Sequence, residues 1–376
     1  MATTKPKKGS LEEVTQASST DALTLALRYA SSLVPAPTAV IGPDDKGNLF
    51  VYSSDGTASV RIVVRDPGFS VDAPFSIEID TLRKALSKRS NAKVKVADGI
   101  LTVTAAGYET KLTVEDAAGD FTVQPPNKDG IVSSIKMSSD LWSWLQTVTS
   151  KLNIVDLNLG IEPMFFCRVT DKAAVAAALD DTQASFTAVK TESVGAVPSE
   201  TIQFMLPNNF FARLVKAVPY DNTSITITES SVFLTMRSLR AQLALTAAES
   251  NITPEAVLEQ IKQLPKIDGA DVSFDRSALD TFIENADALS MNGERVVTFT
   301  KGGKGTVAVC KAANGTVKAT VGGTCPVTFK IDLKLLMGVP KEGNDVNMRV
   351  AKDGSVAVVK SSGSLPYYYA TTLVGE

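Results

Sequence analysis

Histidine is absent from all 376 residues. That removes the commonest general base, the Ser-His and Cys-His nucleophile pairs, and most zinc and iron sites. Cysteine is scarce as well: Cys167, Cys310 and Cys325 are far apart and odd in number. They form neither a disulfide framework nor a metal knuckle, and are expected as buried, reduced thiols of a cytoplasmic protein. No apolar run approaches the length of a membrane span. Lys5, Lys7 and Lys8 are followed by no apolar segment, so residues 1–10 read as a disordered tail and not as a secretory signal. The formal charge is only −3, which argues against a protein that coats nucleic acid with its whole surface.

Motifs that carry chemistry are missing too. Lys301-Gly-Gly-Lys-Gly-Thr306 invites a phosphate-loop reading, but that loop needs Lys and Ser/Thr to be adjacent, and Gly305 separates them here. A glycine-rich hairpin turn is expected instead. Asp180-Asp181 follows an Ala-rich run and marks a turn, and no acidic cluster has calcium-loop spacing. The chain therefore reads as a non-enzyme with no catalytic residue, no metal ligand and no cofactor.

What is present is a long repeat. Phe75-Ser-Ile-Glu-Ile-Asp-Thr-Leu, Phe204-Met-Leu-Pro-Asn-Asn-Phe-Phe and Phe329-Lys-Ile-Asp-Leu-Lys-Leu-Leu begin 129 and 125 residues apart. Each couples a Phe-centred strand to a short amphipathic helix. An alternating strand follows each helix, at Val94-Lys-Val96, Ile225-Thr-Ile227 and Met348-Arg-Val350. Tight turns come next, at Asp98-Gly99, Glu229-Ser-Ser231 and Asp353-Gly354; in the two Asp-Gly turns Gly supplies the positive φ that a two-residue hairpin needs. A further helix precedes each copy, over residues 21–33, 139–152 and 275–289. A fixed long period means one architectural unit used repeatedly.

The repeat and the Pro/Gly-rich stretches between its copies divide the chain. Residues 1–10 are the tail, 11–123 the first domain, 131–248 the second, 249–269 a linker carrying a helix, and 270–376 the third. In the linker, Thr253 is the expected N-cap, Pro254 opens the helix, and Val257, Leu258, Ile261 and Leu264 form its apolar stripe. The fold class is α+β, three repeated domains of two helices each packed on antiparallel sheets.

The second helix of every copy turns basic residues away from its apolar arc. Leu82, Ala85 and Leu86 share one face while Arg83, Lys84 and Lys88 fall opposite; Phe210, Phe211, Leu214 and Val218 oppose Arg213 and Lys216; the third helix offers Lys334 and then Lys341. One such face is an ordinary solvated surface; three equivalent ones point to a shared anionic partner. Helix 275–289 instead exposes Asp280, Glu284 and Asp287. Trp144 lies on the stripe of Leu141, Leu145, Val148 and Leu152 and is expected in the core, whereas Trp142 points off it toward partial exposure. Tyr367-Tyr368-Tyr369 occupies a closing strand, so its rings alternate between core and surface.

Taken together, these residues resemble the DNA polymerase sliding clamps of the bacterial β type. The likeness is best in the third copy: Val272-Ser-Phe-Asp-Arg-Ser-Ala-Leu279 is similar to the opening of the family's third domain, the Phe329–Leu336 stretch to its second helix, and Leu365-Pro-Tyr-Tyr-Tyr-Ala-Thr-Thr-Leu373 to its closing strand. The resemblance implies a homodimer joined head to tail into a ring of six domains that encircles double-stranded DNA without sequence specificity. It implies DNA polymerase and clamp loader as partners, and phosphate contacts from Arg83, Lys84, Lys88, Arg213, Lys216 and Lys334. It also implies a partner-peptide pocket at Leu152, Leu157, Leu264, Pro265, Tyr368 and Ala370. Tyrosines replace the aliphatic residues of the family's closing strand, and the helix from Pro254 is additional. Such divergence, with no histidine, fits a phage-encoded member working in a bacterial host's cytoplasm. A structural or scaffold protein of a virus, built from repeated β-rich modules, remains the alternative; it explains the repeat but not the recurrent basic face.

Overall fold

The structure is a computed structural model and describes residues 19–65, 67, 69–87, 92–105, 107–152, 154–155, 163–195, 198–244, 253–289, 295–312, 314–361 and 365–375. The tail 1–10, the start of the linker, Lys88 and Leu157 lie outside these.

The elements alternate as the repeat predicts. In the first copy they are α1 (Ser19–Leu33), β1 (Thr38–Pro43), β2 (Leu49–Ser54), β3 (Ala58–Val64), β4 (Phe75–Glu78), α2 (Ile79–Leu86), β5 (Lys93–Ala97), β6 (Ile100–Ala105), β7 (Tyr108–Thr113) and β8 (Glu115–Asp116). The second copy has β9 (Ile131–Lys136), α3 (Ser139–Lys151), β10 (Met164–Val169), β11 (Ala173–Leu179), β12 (Gln183–Lys190), β13 (Ile202–Pro207), α4 (Asn208–Ala217), β14 (Ser224–Thr228), β15 (Ser231–Thr235) and β16 (Leu239–Ala244). The linker helix is α5 (Pro254–Gln263). The third copy has β17 (Gly269–Asp275), α6 (Arg276–Leu289), β18 (Val296–Gly302), β19 (Gly305–Ala312), β20 (Gly315–Thr320), β21 (Phe329–Asp332), α7 (Leu333–Met337), β22 (Asp345–Ala351), β23 (Val356–Lys360) and β24 (Tyr368–Thr372). The class is α+β.

The chain divides into two compact units, residues 1–146 with 212–248 and residues 147–211 with 249–376. The first holds a nine-stranded sheet, β8-β4-β1-β2-β3-β16-β15-β14-β9, and a three-stranded sheet, β5-β6-β7. Strand β3 pairs antiparallel with β16, with Ile62 opposite Leu239. Along β3 the alternation is strict: Val60, Ile62 and Val64 are buried under α1, and Arg61 and Val63 take the opposite face. The Asp98-Gly99 turn between β5 and β6 has φ of 53° and 71°, the left-handed pair that closes a two-residue hairpin.

The second unit repeats the plan. Its eight-stranded sheet runs β13-β10-β11-β12-β24-β23-β22-β17, and a four-stranded sheet runs β20-β19-β18-β21. Its core gathers Leu279, Phe282 and Ala286 of α6 and Leu333, Leu335 and Leu336 of α7 around Phe274, Phe299 and Phe329. The Phe274 and Phe299 rings lie 4.8 Å apart and the Phe299 and Phe329 rings 5.0 Å. Each such fully buried ring contributes about 1.5–3 kcal/mol of apolar burial. The Lys301–Thr306 segment is a hairpin turn between β18 and β19, as expected.

One core assignment is corrected. Trp142 is fully buried, not partly exposed, and its indole N–H donates to the carbonyl of Val218 at 3.3 Å. Gln146, one turn further along α3, donates to the carbonyls of Val215 and Val218 at 2.7 and 3.4 Å. The end of α4 thus covers a flank of α3 that the single apolar stripe leaves open. Cys167, Cys310 and Cys325 are buried free thiols, and burial pushes the Cys167 and Cys325 thiols up from their ordinary pKa. Among the described residues, no helix is long and apolar enough to cross a membrane.

Candidate functional site

A groove opens in the second unit beside the junction of β12 with β24. Its cavity volume is about 540 Å³. The sequence around it explains its form. Thr253 caps α5 by accepting from the Ala256 N–H at 3.2 Å. The α5 stripe then buries Val257 and Ile261 against Phe166, Ala177, Phe186 and Ala370, with Leu258 and Leu264 half-buried at the margin. Proline cannot continue the helix, and a single 3₁₀ turn, Leu264–Lys266, presents Leu264 and Pro265 to the groove.

The opposite wall is Tyr368. It is paired in register with Phe186 of β12 on one side and Lys360 of β23 on the other. Its ring stacks on Phe186 with centroids 5.4 Å apart and planes 16° apart, and Lys360 Nζ lies 5.9 Å from the ring centroid. Tyr367 and Tyr369 point inward and are buried, so the tyrosine run alternates as expected. The rim is polar. Asp271 and Arg349, cross-strand partners on β17 and β22, form a two-bond pair, Nε to Oδ1 at 2.9 Å and a terminal guanidinium nitrogen to Oδ2 at 3.1 Å. This pair holds the Asp271 carboxyl below its ordinary pKa. A concave apolar floor with one aromatic wall and a fixed polar rim suits a short peptide with apolar anchors.

Of the six residues expected here, Leu264, Pro265 and Tyr368 line the groove. Ala370 lies in the core below them, in the cluster of Phe166 and Phe186. Leu152 is buried just after α3 and is not among the lining residues. The lining residues Asp271, Arg349 and Lys360, and Phe186 buried behind Tyr368, were not anticipated. The alternation of β17 and β22 put Asp271 and Arg349 outward, but nothing local to either strand announces that the two are partners.

The basic residues of the second helices sit where the helical period put them. Strands β4, β13 and β21 bury Phe75, Phe204 and Phe329 and lead directly into α2, α4 and α7. On α2, Leu82, Ala85 and Leu86 are buried, Lys84 is exposed, and Arg83 bonds to Asp80 one turn back at 3.3 Å. On α4, Phe211 stacks on Phe165 at 4.6 Å, leaving Arg213 half-buried and Lys216 exposed. On α7, Asp332 caps the helix through the Lys334 N–H at 2.7 Å, and the Lys334 side chain is half-buried. The acidic face of α6 is partly neutralised, because Asp280 pairs with Arg276 and Asp287 with Arg295. Among the described residues, no group of three or more His, Cys, Asp or Glu is placed to hold a metal.

No protein-family model matches the chain, and no curated protein matches it in sequence. Solved structures do. The DNA polymerase III β subunit of Thermotoga maritima superposes with a TM-score of 0.73 at 14% identity, over 96% of this chain and 98% of that one. The β chain of Streptococcus pneumoniae DNA polymerase III gives 0.68 at 12% identity, and the DNA polymerase sliding clamp of Bacillus subtilis 0.65 at 13%, each over 95% of this chain and 98% of the other. The chain therefore has the three-domain fold of these subunits.

Proposed function

We propose that this chain is a DNA polymerase sliding clamp, a processivity factor that encircles duplex DNA and tethers the replicative polymerase. The observation that carries this reading is the extent of the shared fold: it spans 96% of this chain and 98% of the Thermotoga maritima subunit.

Three domains, over residues 11–123, 131–248 and 270–376, would give six in a head-to-tail pair of chains. Among the described residues, two strands at the ends of their sheets support that arrangement. Strand β7 ends the β5-β6-β7 sheet and β20 ends the four-stranded sheet, and both alternate exposed and half-buried residues. A strand at the end of a sheet can take a partner strand, and β7 of one chain against β20 of the next is a heterologous contact that closes when the rotation fits. Arg83, Lys84, Lys88, Arg213, Lys216 and Lys334 would meet DNA phosphates weakly and without sequence preference. The groove at Leu264, Pro265 and Tyr368 would take a peptide of the polymerase or of the clamp loader. The role is topological, needs no cofactor or catalysis, and belongs in the cytoplasm where the chromosome is copied.

Solution mass by light scattering, at micromolar protein and moderate salt, is the direct test. A mass near twice 39.8 kDa, with retention on circular DNA and loss from linear DNA, is expected. A stable monomer, or equal loss from both DNAs, defeats the ring.

A further inference from the structure

The first unit has a cavity of its own, beside the junction of β3 with β16. It encloses about 610 Å³ between the β1–β2 turn, the outward face of β3 and the β15–β16 turn. Its charged lining is Lys46, Arg61, Arg65, Arg237 and Arg240 against Asp44 and Asp45. Asp44 is committed to its own turn, accepting from the N–H groups of Lys46 and Asn48 at 2.9 and 2.8 Å and from Asn48 Nδ2 at 3.0 Å. Among the described residues, none of the four arginines stands in an ion pair.

Two of these arginines oppose each other. Arg61 and Arg240 are direct cross-strand partners of β3 and β16. Like charges at directly opposed positions destabilise an antiparallel pair. Arg61 also lies over the Phe50 ring, 4.7 Å from its centroid, and its Nε is buried without a hydrogen-bond partner. Burial lowers the Arg61 pKa; the nearby Asp44 and Asp45 charges raise it, and the Arg240 charge lowers it further.

The other junction shows what this place can be. Strand β3 joins the first copy to the second through β16, as β12 joins the second to the third through β24. At β12–β24 the corresponding cross-strand pair is Phe186, buried beneath α5, and Tyr368, which stacks on it and lines the apolar groove. The matching pair at β3–β16 is Arg61 and Arg240. One repeated junction thus carries an apolar recess and the other a cationic one.

We propose that the β3–β16 cavity binds an acidic peptide segment of a partner protein, with a carboxylate held between Arg61 and Arg240. Planar guanidinium groups bind carboxylates in a bidentate way, and an anion between two of them removes their repulsion. Asp44 and Asp45 interrupt the basic surface. A nucleic-acid strand, charged at every phosphate, would run onto them, whereas a peptide can place uncharged residues there. The acidic partner is the reading that both the arginine pair and its aspartate border favour.

The test is fluorescence anisotropy of the full chain with labelled hexaglutamate, hexaglutamine and a thymidine hexanucleotide. Hexaglutamate should bind and hexaglutamine should not. Arg240→Gln, a change at an exposed position, should weaken hexaglutamate about tenfold, the loss of one charged hydrogen-bonding partner. Without any ligand, Arg240→Gln should also raise the melting temperature, because it relieves the Arg61 repulsion. Tighter binding of the hexanucleotide overturns the proposal in favour of single-stranded nucleic acid. No binding, binding unchanged by Arg240→Gln, or an unchanged or lower melting temperature in that variant each overturn the site itself. Ring formation is decided by solution mass and DNA retention, so the two readings fail separately.

Discussion

The phenol of Tyr369, fully buried, donates to the main-chain carbonyl of Leu335 across 2.8 Å and lies 3.2 Å from the side-chain oxygen of Gln183. One hydroxyl thereby ties the closing strand β24 to α7 and to β12. Burial pushes its pKa far above that of a free phenol, so the group stays a donor at any working pH. The ring comes so close to Gly338 that a Cβ there would lie 2.5 Å from the hydroxyl.

Two substitutions read out this contact. Tyr369→Phe removes one of the two hydrogen bonds to the Leu335 carbonyl, which keeps the Gly338 N–H at 3.1 Å, and should cost about 0.5–1.5 kcal/mol. Gly338 has φ of −74°, open to any residue, so Gly338→Ala suffers only the collision, about 1–3 kcal/mol of overpacking. The two should couple: Gly338→Ala should cost less in the Tyr369→Phe background, since the nearest colliding atom is gone. Urea midpoints of the four proteins check this, and strict additivity would show that the residues do not meet.

The missing histidines predict the pH profile. No side chain with an ordinary pKa near 6.5 is present, so stability should be level from about pH 6 to 8. Acid is different. Hydrogen bonds from Arg349 hold Asp271 below its ordinary pKa, and those from Thr122 and Ser355 do the same for Asp120 and Asp353. A carboxyl with a lowered folded pKa contributes stability that is present above the unfolded value of about 3.9 and lost as pH falls through the folded one. Thermal melts should therefore decline only below about pH 4, and Asp271→Asn should make that decline shallower. A transition near pH 6.5 would contradict this account.

Local pattern made most of the architecture legible. The spacing of Phe75, Phe204 and Phe329 located three strand–helix joints, and glycine turns located the hairpins, because both signals depend on neighbours in sequence. What escaped depends on contacts between distant segments. Trp142 lies off the stripe of Leu141, Leu145 and Val148, yet α4 returns to cover it, and no periodicity within α3 carries that information. The same holds for Tyr368 on Phe186 and for Arg61 against Arg240. Each pair forms where strands of different copies meet, so neither strand alone distinguishes a groove wall from an ordinary outward side chain. Lys84 and Arg83 show the limit within a helix: the period put both outward, but only the structure shows Arg83 bonded to Asp80.

The groove makes a prediction about partners. Tyr368 is a stacked, half-buried aromatic in a recess, the type of residue that dominates peptide binding. If the chain acts as the proposed clamp, Tyr368→Ala should weaken binding of its polymerase partner by about tenfold or more. The solution mass should not change, because Tyr368 belongs to neither β7 nor β20. Surface plasmon resonance with immobilised polymerase, run beside light scattering, separates the two effects. Unchanged affinity would place the partner site elsewhere.

The helix lysines make a graded one. Lys84 and Lys216 are the exposed cations on α2 and α4, whereas Arg83 already shares its charge with Asp80. Phosphate contact releases condensed counterions, so the logarithm of DNA affinity falls linearly with the logarithm of salt, with a slope of about −0.9 for each contact. Lys84→Glu and Lys216→Glu should each flatten that slope by roughly one contact, and the double variant by roughly two. Arg83→Gln should change it less. Folding should be unaffected, because both lysines lie outside the buried arcs of their helices. Binding isotherms on duplex DNA over a salt series measure the slopes directly. Equal slopes for wild type and the double variant would mean that the basic face common to these helices is ordinary solvated surface, and that DNA is met by other residues.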